Sequence, residues 1–256
     1  MVKIKEKVND TAVTIPQFLC DSRVDEGLRH RIPYPVLTKS GTTVFVGSPG
    51  SGKTSIMTGL FTTRTSRKTG KRQIYKGCFD KIFIIMPETS IKSMKKNAFA
   101  SIDDEQIFHR LDEETLETVM KEATEIAEEK GHSALIIDDM ASSLKNKDIA
   151  YLLTTMAQQL RHLHLNLFIL SQTWNSLPLT LRKLVHHVYL MNRPVNRKEF
   201  DSIFEELVFL KRDDAMKIVD YVFDKRHNFL LVDSQNNKFY KNFNRLLLQD
   251  EEKGKE

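Results

Sequence analysis

The sequence predicts an α/β fold with a mostly parallel central sheet, flanked by helices and followed by a C-terminal hairpin. Three observations lead to this prediction. A glycine-rich loop lies between a short apolar run and a helical stretch, at 42–60. Further short apolar runs alternate with amphipathic helical stretches along most of the chain, as in βαβ units. Near the C-terminus, two short apolar runs flank an Asn-Asn turn at 236–237.

The glycine-rich loop matches a phosphate-binding motif at every fixed position. A strand is predicted at 43–46, residues 47–54 fit G-x-x-x-x-G-K-[ST], and a helix is predicted at 55–60. Glycines let the backbone turn its N–H groups toward phosphate, and a helix N-terminus adds partial positive charge. Lys53 can reach the β- and γ-phosphates, and the Thr54 hydroxyl can ligate Mg²⁺. The candidate nucleotide-binding residues are Gly47, Ser48, Pro49, Gly50, Ser51, Gly52, Lys53, Thr54 and Ser55.

The remaining elements follow from the spacing of apolar residues. Strands are predicted at 81–86, 133–137, 166–170 and 187–191, and a short strand that closes a hairpin at 107–109. Helices are predicted at 113–130, 149–160, 198–207 and 212–223. The C-terminal hairpin is predicted at 229–232 and 238–240.

The apolar run at 133–137 ends in two acids, Asp138 and Asp139, which is the Walker B pattern. Ligands bind at the carboxyl edge of the strands in open α/β sheets. Asp138 is the expected Mg²⁺-associated carboxylate, and Asp139 lies where a general base for the attacking water would be. The alternative is a strand that merely ends in a polar turn, such as an aspartate N-cap.

The strand at 166–170 is followed by Ser171 and Gln172. If this strand lies between the P-loop strand and the Walker B strand, Gln172 emerges next to the γ-phosphate. It could then hydrogen-bond that phosphate or the catalytic water. This insertion is the layout of RecA-like (ASCE) P-loop NTPases, which is the fold class that we predict. The alternative is an ordinary glutamine at a strand end.

Composition narrows the class of protein. The chain has 256 residues with 40% hydrophobic content, which suits one large α/β domain. We predict an N-terminal extension at 1–35, a P-loop ATPase domain at 36–248 and a solvated tail at 249–256. Only two cysteines occur, Cys20 and Cys78, which favours a reducing compartment. The N-terminus has no apolar signal-peptide region and no apolar run is long enough for a bilayer, so we expect a soluble intracellular protein.

The formal net charge is +5, and six Lys or Arg with no acid occur at 64–76. Such a basic run can be a solvated loop, or it can contact DNA phosphates and release counterions. Tyr75 is a weak candidate for stacking on a base. The candidate DNA-binding residues are Arg64, Arg67, Lys68, Lys71 and Arg72.

Taken together, GSPGSGKT, IIDDM and LFILSQTWNSLPLTLRKL resemble the HerA–FtsK superfamily of P-loop ATPases. The chain is most similar to the compact genome-packaging ATPases of double-stranded DNA viruses, the poxvirus and virophage type. The stretch at 172–182 carries most of this resemblance, and the ending LLVDSQNNKFYKNF adds to it. The similarity covers about residues 40 to 245.

The resemblance implies ATP and Mg²⁺ as cofactors, and a homo-oligomeric ring, usually a hexamer, around double-stranded DNA. It implies a viral capsid vertex or portal as partner, and a location in the host-cell cytoplasm, at the viral assembly site or in the virion. It also implies an arginine supplied to the neighbouring subunit's nucleotide, for which Arg161 is the first candidate and Arg182 the second. Many relatives carry Asp-Glu where this chain has Asp138-Asp139, and the shorter side chain puts direct base action by Asp139 in question.

Three other functions fit a P-loop. A nucleoside or nucleotide kinase shares the motif, but such kinases tend to lack a polar strand end like Gln172. A conjugative or chromosomal DNA translocase is a second alternative. A GTP switch needs an N-K-x-D motif, and Asn146-Lys147 is followed at once by Asp148, so the aspartate is misplaced. The sequence therefore favours a DNA motor.

Overall fold

The computed structural model describes residues 27–28, 32, 34–62, 64–67, 70–92, 99, 102–194, 196–208 and 210–248, with the backbone alone at 64–67 and 70–73. The strands are β1 (Thr42–Val46), β2 (Arg64–Arg67), β3 (Gly70–Gln73), β4 (Lys81–Ile85), β5 (Ile107–Phe108), β6 (Ser133–Asp138), β7 (Leu165–Ser171), β8 (Val185–Leu190), β9 (Leu230–Asp233), β10 (Lys238–Lys241) and β11 (Asn244–Arg245). The helices are α1 (Lys53–Thr62), α2 (Glu88–Lys92), α3 (Glu113–Glu128), α4 (Lys147–Gln159), α5 (Leu179–Arg182), α6 (Arg197–Leu207) and α7 (Arg212–Val222). The predicted tail at 249–256 and most of the predicted extension at 1–35 lie outside the described residues.

Nine strands of the described chain form the central sheet, in the order β11-β10-β9-β8-β1-β7-β6-β4-β5. Every neighbouring pair from β8 to β5 is parallel. Strands β9, β10 and β11 continue the sheet in antiparallel fashion. The predicted parallel sheet and C-terminal hairpin are confirmed. Strand β7 lies between β1 and β6, as the RecA-like prediction requires.

The two faces of the sheet bury two separate cores, because successive residues of a strand point to opposite faces. On β1, Val44 and Val46 belong to one core, while Phe45 belongs to the other. The first core is covered by α3, α4, α6 and α7. The second core is covered by α1, through Met57 and Leu60. Strands that are buried on both faces explain the near-continuous apolar runs in the sequence.

Two local expectations were wrong, and one of the alternatives left open for the basic run needs to be refined. Strand β5 does not close a hairpin but pairs in parallel with β4, where Ile84 faces Ile107 in the register. The basic run is not a plain loop, since β2 and β3 pair as an antiparallel hairpin. Tyr75 cannot stack on a base, because it is buried and its hydroxyl donates a hydrogen bond to the Leu37 carbonyl (2.8 Å).

Strand β8 begins two residues before its predicted start and contains a bulge opposite the start of β1. At this bulge, His186 Nδ1 accepts a hydrogen bond from the Thr42 N–H (3.1 Å). His187 is buried, and its Nε2 lies 3.9 Å from Oδ1 of the buried Asp233 on β9. Burial lowers the pKa of His187 to about 4, although the carboxylate of Asp233 opposes this shift. A neutral histidine therefore fills this position at neutral pH.

Candidate nucleotide-binding site

The P-loop links the buried strand β1 to helix α1, as its sequence predicts. Gly50 and Gly52 have φ values of +75° and +98°, a region that other residues rarely adopt. Helix α1 begins at Lys53, so the backbone N–H groups of its first turn are directed into the loop. The N-terminus of α1 can therefore bind an anion, and it lies at the carboxyl edge of the sheet.

The side chains of Lys53 and Thr54 line one pocket beside the P-loop, where hydrogen bonds hold them. Lys53 Nζ donates hydrogen bonds to the carbonyls of Gly47 (2.6 Å) and Ser48 (3.2 Å). Burial lowers the pKa of Lys53, and the charges of two nearby aspartates partly restore it. Thr54 Oγ1 donates a hydrogen bond to Asp138 Oδ2 (3.0 Å). The last residue of the P-loop motif is therefore in contact with the acidic end of β6.

Asp138 is a buried carboxylate at the end of β6. Burial raises its pKa, while the Thr54 hydrogen bond and the Lys53 charge act in the opposite direction. A buried carboxylate oxygen beside a hydroxyl is the hard-oxygen donor set that Mg²⁺ prefers. Asp138 and Thr54 therefore fit a magnesium ion, which would compensate the buried negative charge.

Asp139 and Gln172 meet because β7 is inserted between β1 and β6. Gln172 Nε2 lies 3.3 Å from Asp139 Oδ1 and donates a hydrogen bond to it. Asp139 has φ = +58°, a left-handed conformation that is uncommon for residues other than glycine. Both residues line a pocket of about 370 Å³ together with Gly50, Lys53, Thr54 and Asp138.

Asn192 belongs to no motif predicted from the sequence, and it follows β8 on the other side of β1. Asn192 Oδ1 accepts a hydrogen bond from the Ser48 N–H (2.8 Å), and its Nδ2 donates to the Arg193 carbonyl (2.8 Å). A Cβ atom on Gly47 would lie 2.8 Å from this Oδ1, so the first glycine of the motif is needed for close approach. The signal was available, since Asn192 is a polar residue after a strand, as Gln172 is.

The two candidate arginines lie away from the phosphate pocket of their own chain. Arg161 is exposed in the turn between α4 and β7, at the amino end of that strand. Arg182 Nη1 forms an ion pair with Glu206 (2.8 Å) and a hydrogen bond to Asn175 (3.0 Å), and its guanidinium lies 5.9 Å from the Trp174 ring centroid. Both arginines line a different pocket of about 610 Å³.

The candidate DNA-binding residues fall on the β2–β3 hairpin, apart from Lys68, which lies outside the described residues. The hairpin pairs Arg64 with Gln73 and Thr65 with Arg72. The chain therefore carries its densest basic stretch on a two-stranded element separate from the central sheet. No described helix is long and apolar enough to cross a membrane.

No family model matches the chain, and no curated protein sequence matches it. Solved structures do resemble it. The genome packaging NTPase B204 from Sulfolobus turreted icosahedral virus 2, in complex with ATP-gammaS, is 16% identical with a TM-score of 0.54, over 80% of this chain and 98% of that chain. The same protein in complex with AMPPCP is 14% identical with a TM-score of 0.56, over 82% and 99% of the two chains.

B204, the DNA-packaging ATPase from Sulfolobus Turreted Icosahedral Virus, is 15% identical with a TM-score of 0.50, over 80% of this chain and 97% of that chain. At these identities the likeness establishes the fold. The chain thus has the RecA-like P-loop fold over nearly the whole length of these viral proteins. The predicted resemblance is confirmed to that extent.

Proposed function

We propose that this chain is an ATP-hydrolysing double-stranded DNA translocase that packages a viral genome into a preformed capsid. The observation that carries the proposal is the insertion of β7, which brings Gln172 against Asp139 beside the P-loop. The likeness in fold to viral packaging ATPases over nearly their full length supports it further.

In the proposed reaction, water attacks the γ-phosphorus of ATP, and the bond from that phosphorus to the β–γ bridging oxygen breaks. ADP and inorganic phosphate are the products. Lys53 would neutralise charge on the β- and γ-phosphates. Asp139 would orient the water or accept its proton, and Gln172 would hold that carboxylate in position. When bound between Thr54 and Asp138, Mg²⁺ would stabilise the charge on the phosphates.

We propose that the working unit is a ring, usually a hexamer, in which an arginine reaches the neighbour's nucleotide. Arg161 is the better candidate, because it is exposed. Arg182 is 12% exposed and is held by Glu206 of its own chain. An arginine supplied in trans accelerates phosphoryl transfer by about 10³–10⁵-fold.

A mixing experiment tests this assignment. Arg161→Ala subunits and Lys53→Ala subunits should each be inactive. Mixed rings contain some interfaces with an intact P-loop and an intact arginine, so ATP hydrolysis should partly return. A second mixture, of Arg182→Ala subunits with Lys53→Ala subunits, serves as the comparison. If rings that are confirmed to be mixed show no recovery with Arg161→Ala, then Arg161 is not the trans arginine.

We propose that the β2–β3 hairpin contacts the DNA backbone without reading its sequence. Duplex DNA should stimulate ATP hydrolysis, and Lys53→Ala provides the inactive control. Each phosphate contact should add about −0.9 to the slope of log K against log salt. Neutral replacement at Arg67, Lys68, Lys71 and Arg72 should therefore make the slope shallower.

A matched control variant loses the same amount of positive charge, but from lysines on α3, α4 and the turns next to them. Four exposed lysines there suit this purpose: Lys121, Lys130, Lys145 and Lys147. Their replacement should leave the salt slope as in the wild type. Equal slopes for both variants would remove the hairpin from the DNA interface. Absence of any stimulation by duplex DNA, with stimulation by a small phosphoryl acceptor instead, would favour a kinase. The capsid vertex or portal is the partner that the packaging role requires.

A further inference from the structure

The segment that follows β7 connects the phosphate pocket to one of the two candidate arginines. Gln172 lines the phosphate pocket, while Arg182, the last residue of α5, lines the pocket of about 610 Å³. Trp174 lies between them in the chain, two residues after Gln172, and is completely buried. The contacts of this tryptophan therefore bear on the position of both residues.

The carboxylate of Glu206 on α6 binds Trp174 and Arg182 at the same time. Its Oε2 accepts a hydrogen bond from Trp174 Nε1 (2.9 Å), and its Oε1 accepts one from Arg182 Nη1 (2.8 Å). Arg182 Nη1 also donates to Asn175 Oδ1 (3.0 Å), and the guanidinium carbon lies within cation–π range of the Trp174 ring, 5.9 Å from its centroid. Arg182 thus holds the segment both directly and through Glu206.

Helix α6 holds Trp174 with a second carboxylate. The backbone N–H of Trp174 donates a hydrogen bond to Glu199 Oε1 (2.9 Å), and Glu199 is buried. Glu199 and Glu206 are seven residues apart, about two helical turns, so they lie on the same face of α6. Trp174 is therefore held at its backbone by one glutamate and at its indole by the other.

The turn between β7 and Ser176 is closed by its own hydrogen bonds. Ser176 Oγ donates to the Thr173 carbonyl (2.7 Å), and the hydroxyl oxygens of Ser171 and Ser176 lie 2.5 Å apart. Ser171 is the last residue of β7, so these bonds tie the turn to the end of the strand. A displacement of Trp174 would therefore reach Gln172 rather than be absorbed between the two residues.

The surroundings of Arg182 suit a role within its own chain. Its side chain is 12% exposed, and that of its ion-pair partner Glu206 is 20% exposed. An Arg182 side chain that reached a neighbouring subunit would leave the Glu206 carboxylate without its cation, and an uncompensated buried charge is strongly destabilising. Arg161, by contrast, is exposed.

We infer that Arg182 is a positioning residue of its own chain, which fixes Trp174 together with Glu206 and so holds Gln172 against Asp139. The inference rests on the proposed ATP hydrolysis, in which Gln172 positions the carboxylate that activates the water. It leaves the trans role to Arg161. A misplacement of about 1 Å caused far from the reacting atoms can cost about 100-fold in rate. The ion pair therefore affects turnover although it does not touch the nucleotide.

Steady-state ATP hydrolysis by the full chain tests this role. Glu206→Gln breaks the ion pair and should lower kcat by about 10- to 100-fold. The KM for ATP should stay as in the wild type, because the P-loop is unchanged. Arg182→Ala should give the same pattern. If Arg182 acted in trans, Glu206→Gln would release it, so an undiminished kcat in this variant would overturn the inference.

Mixed rings distinguish the two roles a second time. In a mixture of Arg182→Ala subunits with Lys53→Ala subunits, every intact P-loop belongs to a chain whose Gln172 is displaced. Hydrolysis should therefore not return. Recovery in rings that are confirmed to be mixed would make Arg182 the trans arginine and overturn the inference. If the wild type hydrolysed no ATP, the proposed function itself would fail.

The matched control is Glu122→Gln, which breaks another partly buried ion pair. Glu122 on α3 pairs with Lys81 on β4, and neither residue lines the phosphate pocket or the pocket of about 610 Å³. This variant should keep the wild-type kcat. A loss of kcat equal to that of Glu206→Gln would show that any lost ion pair slows the enzyme, and would overturn the inference.

Tryptophan fluorescence reports the local change, because Trp174 is the only tryptophan of the sequence. The emission maximum should change in Glu206→Gln and stay constant in Glu122→Gln. An unchanged emission in Glu206→Gln would contradict the contact on which the inference depends. If Glu206→Gln did not fold, the double variant Arg182→Met with Glu206→Gln, which leaves no unpaired charge, should show the same loss of kcat and no recovery with Lys53→Ala subunits.

Discussion

Asn192→Ala should weaken nucleotide binding, although Asn192 lies outside the P-loop motif. The side chain holds the loop by accepting a hydrogen bond from the Ser48 N–H at 2.8 Å. A hydrogen bond of this kind contributes about 0.5–1.5 kcal/mol net. If the bond keeps the loop in its phosphate-binding shape, its loss lowers the affinity for ATP by about 2- to 13-fold.

The matched control is Asn146→Ala. Asn146 Oδ1 accepts a hydrogen bond from the Asp148 N–H, also at 2.8 Å, and caps α4. It does not line the phosphate pocket. Each variant loses about 1 kcal/mol, so the two Tm values should fall by similar amounts, about 2–4 °C.

Titration calorimetry with ATP and thermal unfolding of the free protein separate the two effects. Only Asn192→Ala should bind ATP more weakly, because only that hydrogen bond shapes the loop. If both variants kept the wild-type affinity, the contact between Asn192 and Ser48 would be structural and the reasoning would be refuted. The same conclusion would follow if both lost affinity equally.

Two further predictions concern the carboxylates and the buried histidine. Asp138→Asn should weaken binding of Mg²⁺·ATP, whereas Asp139→Asn should leave binding intact and slow turnover by about 10²–10⁴-fold; equal loss of binding would make Asp139 a metal-shell residue. For His187, the native pKa of about 4 lies below the ordinary 6.5, so the unfolded chain protonates first as pH falls. The free energy of unfolding should drop by up to about 3 kcal/mol between pH 6.5 and 4. Urea unfolding should show a shallower pH dependence for His187→Gln, and an unchanged one would contradict this assignment.

The main strands and the P-loop could be predicted because their signals are local. Five parallel strands, β1, β4, β6, β7 and β8, contain short apolar runs, and the loop carries a fixed pattern of glycines. The direction of β5 could not be predicted in this way, since two apolar residues do not specify which neighbour they pair with. The β2–β3 hairpin was missed because its residues are polar and basic, with no apolar alternation to mark a strand.

Some residues of the site could be predicted from the sequence and others could not, for a related physical reason. Lys53, Thr54 and Asp138 belong to motifs with fixed spacing, and the structure brings them together. The environment of Arg182 depends on Glu206, which is 24 residues away on α6. No local pattern encodes that pairing, so the sequence offered Arg182 as a free arginine while the structure holds it in an ion pair.

Strand order explains why the P-loop motif alone does not define this site. Strand β1 is bonded on both sides at the point where the loop begins, through Gly47 N–H to the Ser171 carbonyl (3.1 Å) and Met191 N–H to the Val46 carbonyl (2.8 Å). One residue further along each neighbour, a polar side chain faces the loop region. Gln172 contacts Asp139 on one side, and Asn192 contacts Ser48 on the other. Two strands that lie more than 100 residues later in the sequence therefore position the loop. A change in either strand would alter the proposed phosphate-binding site.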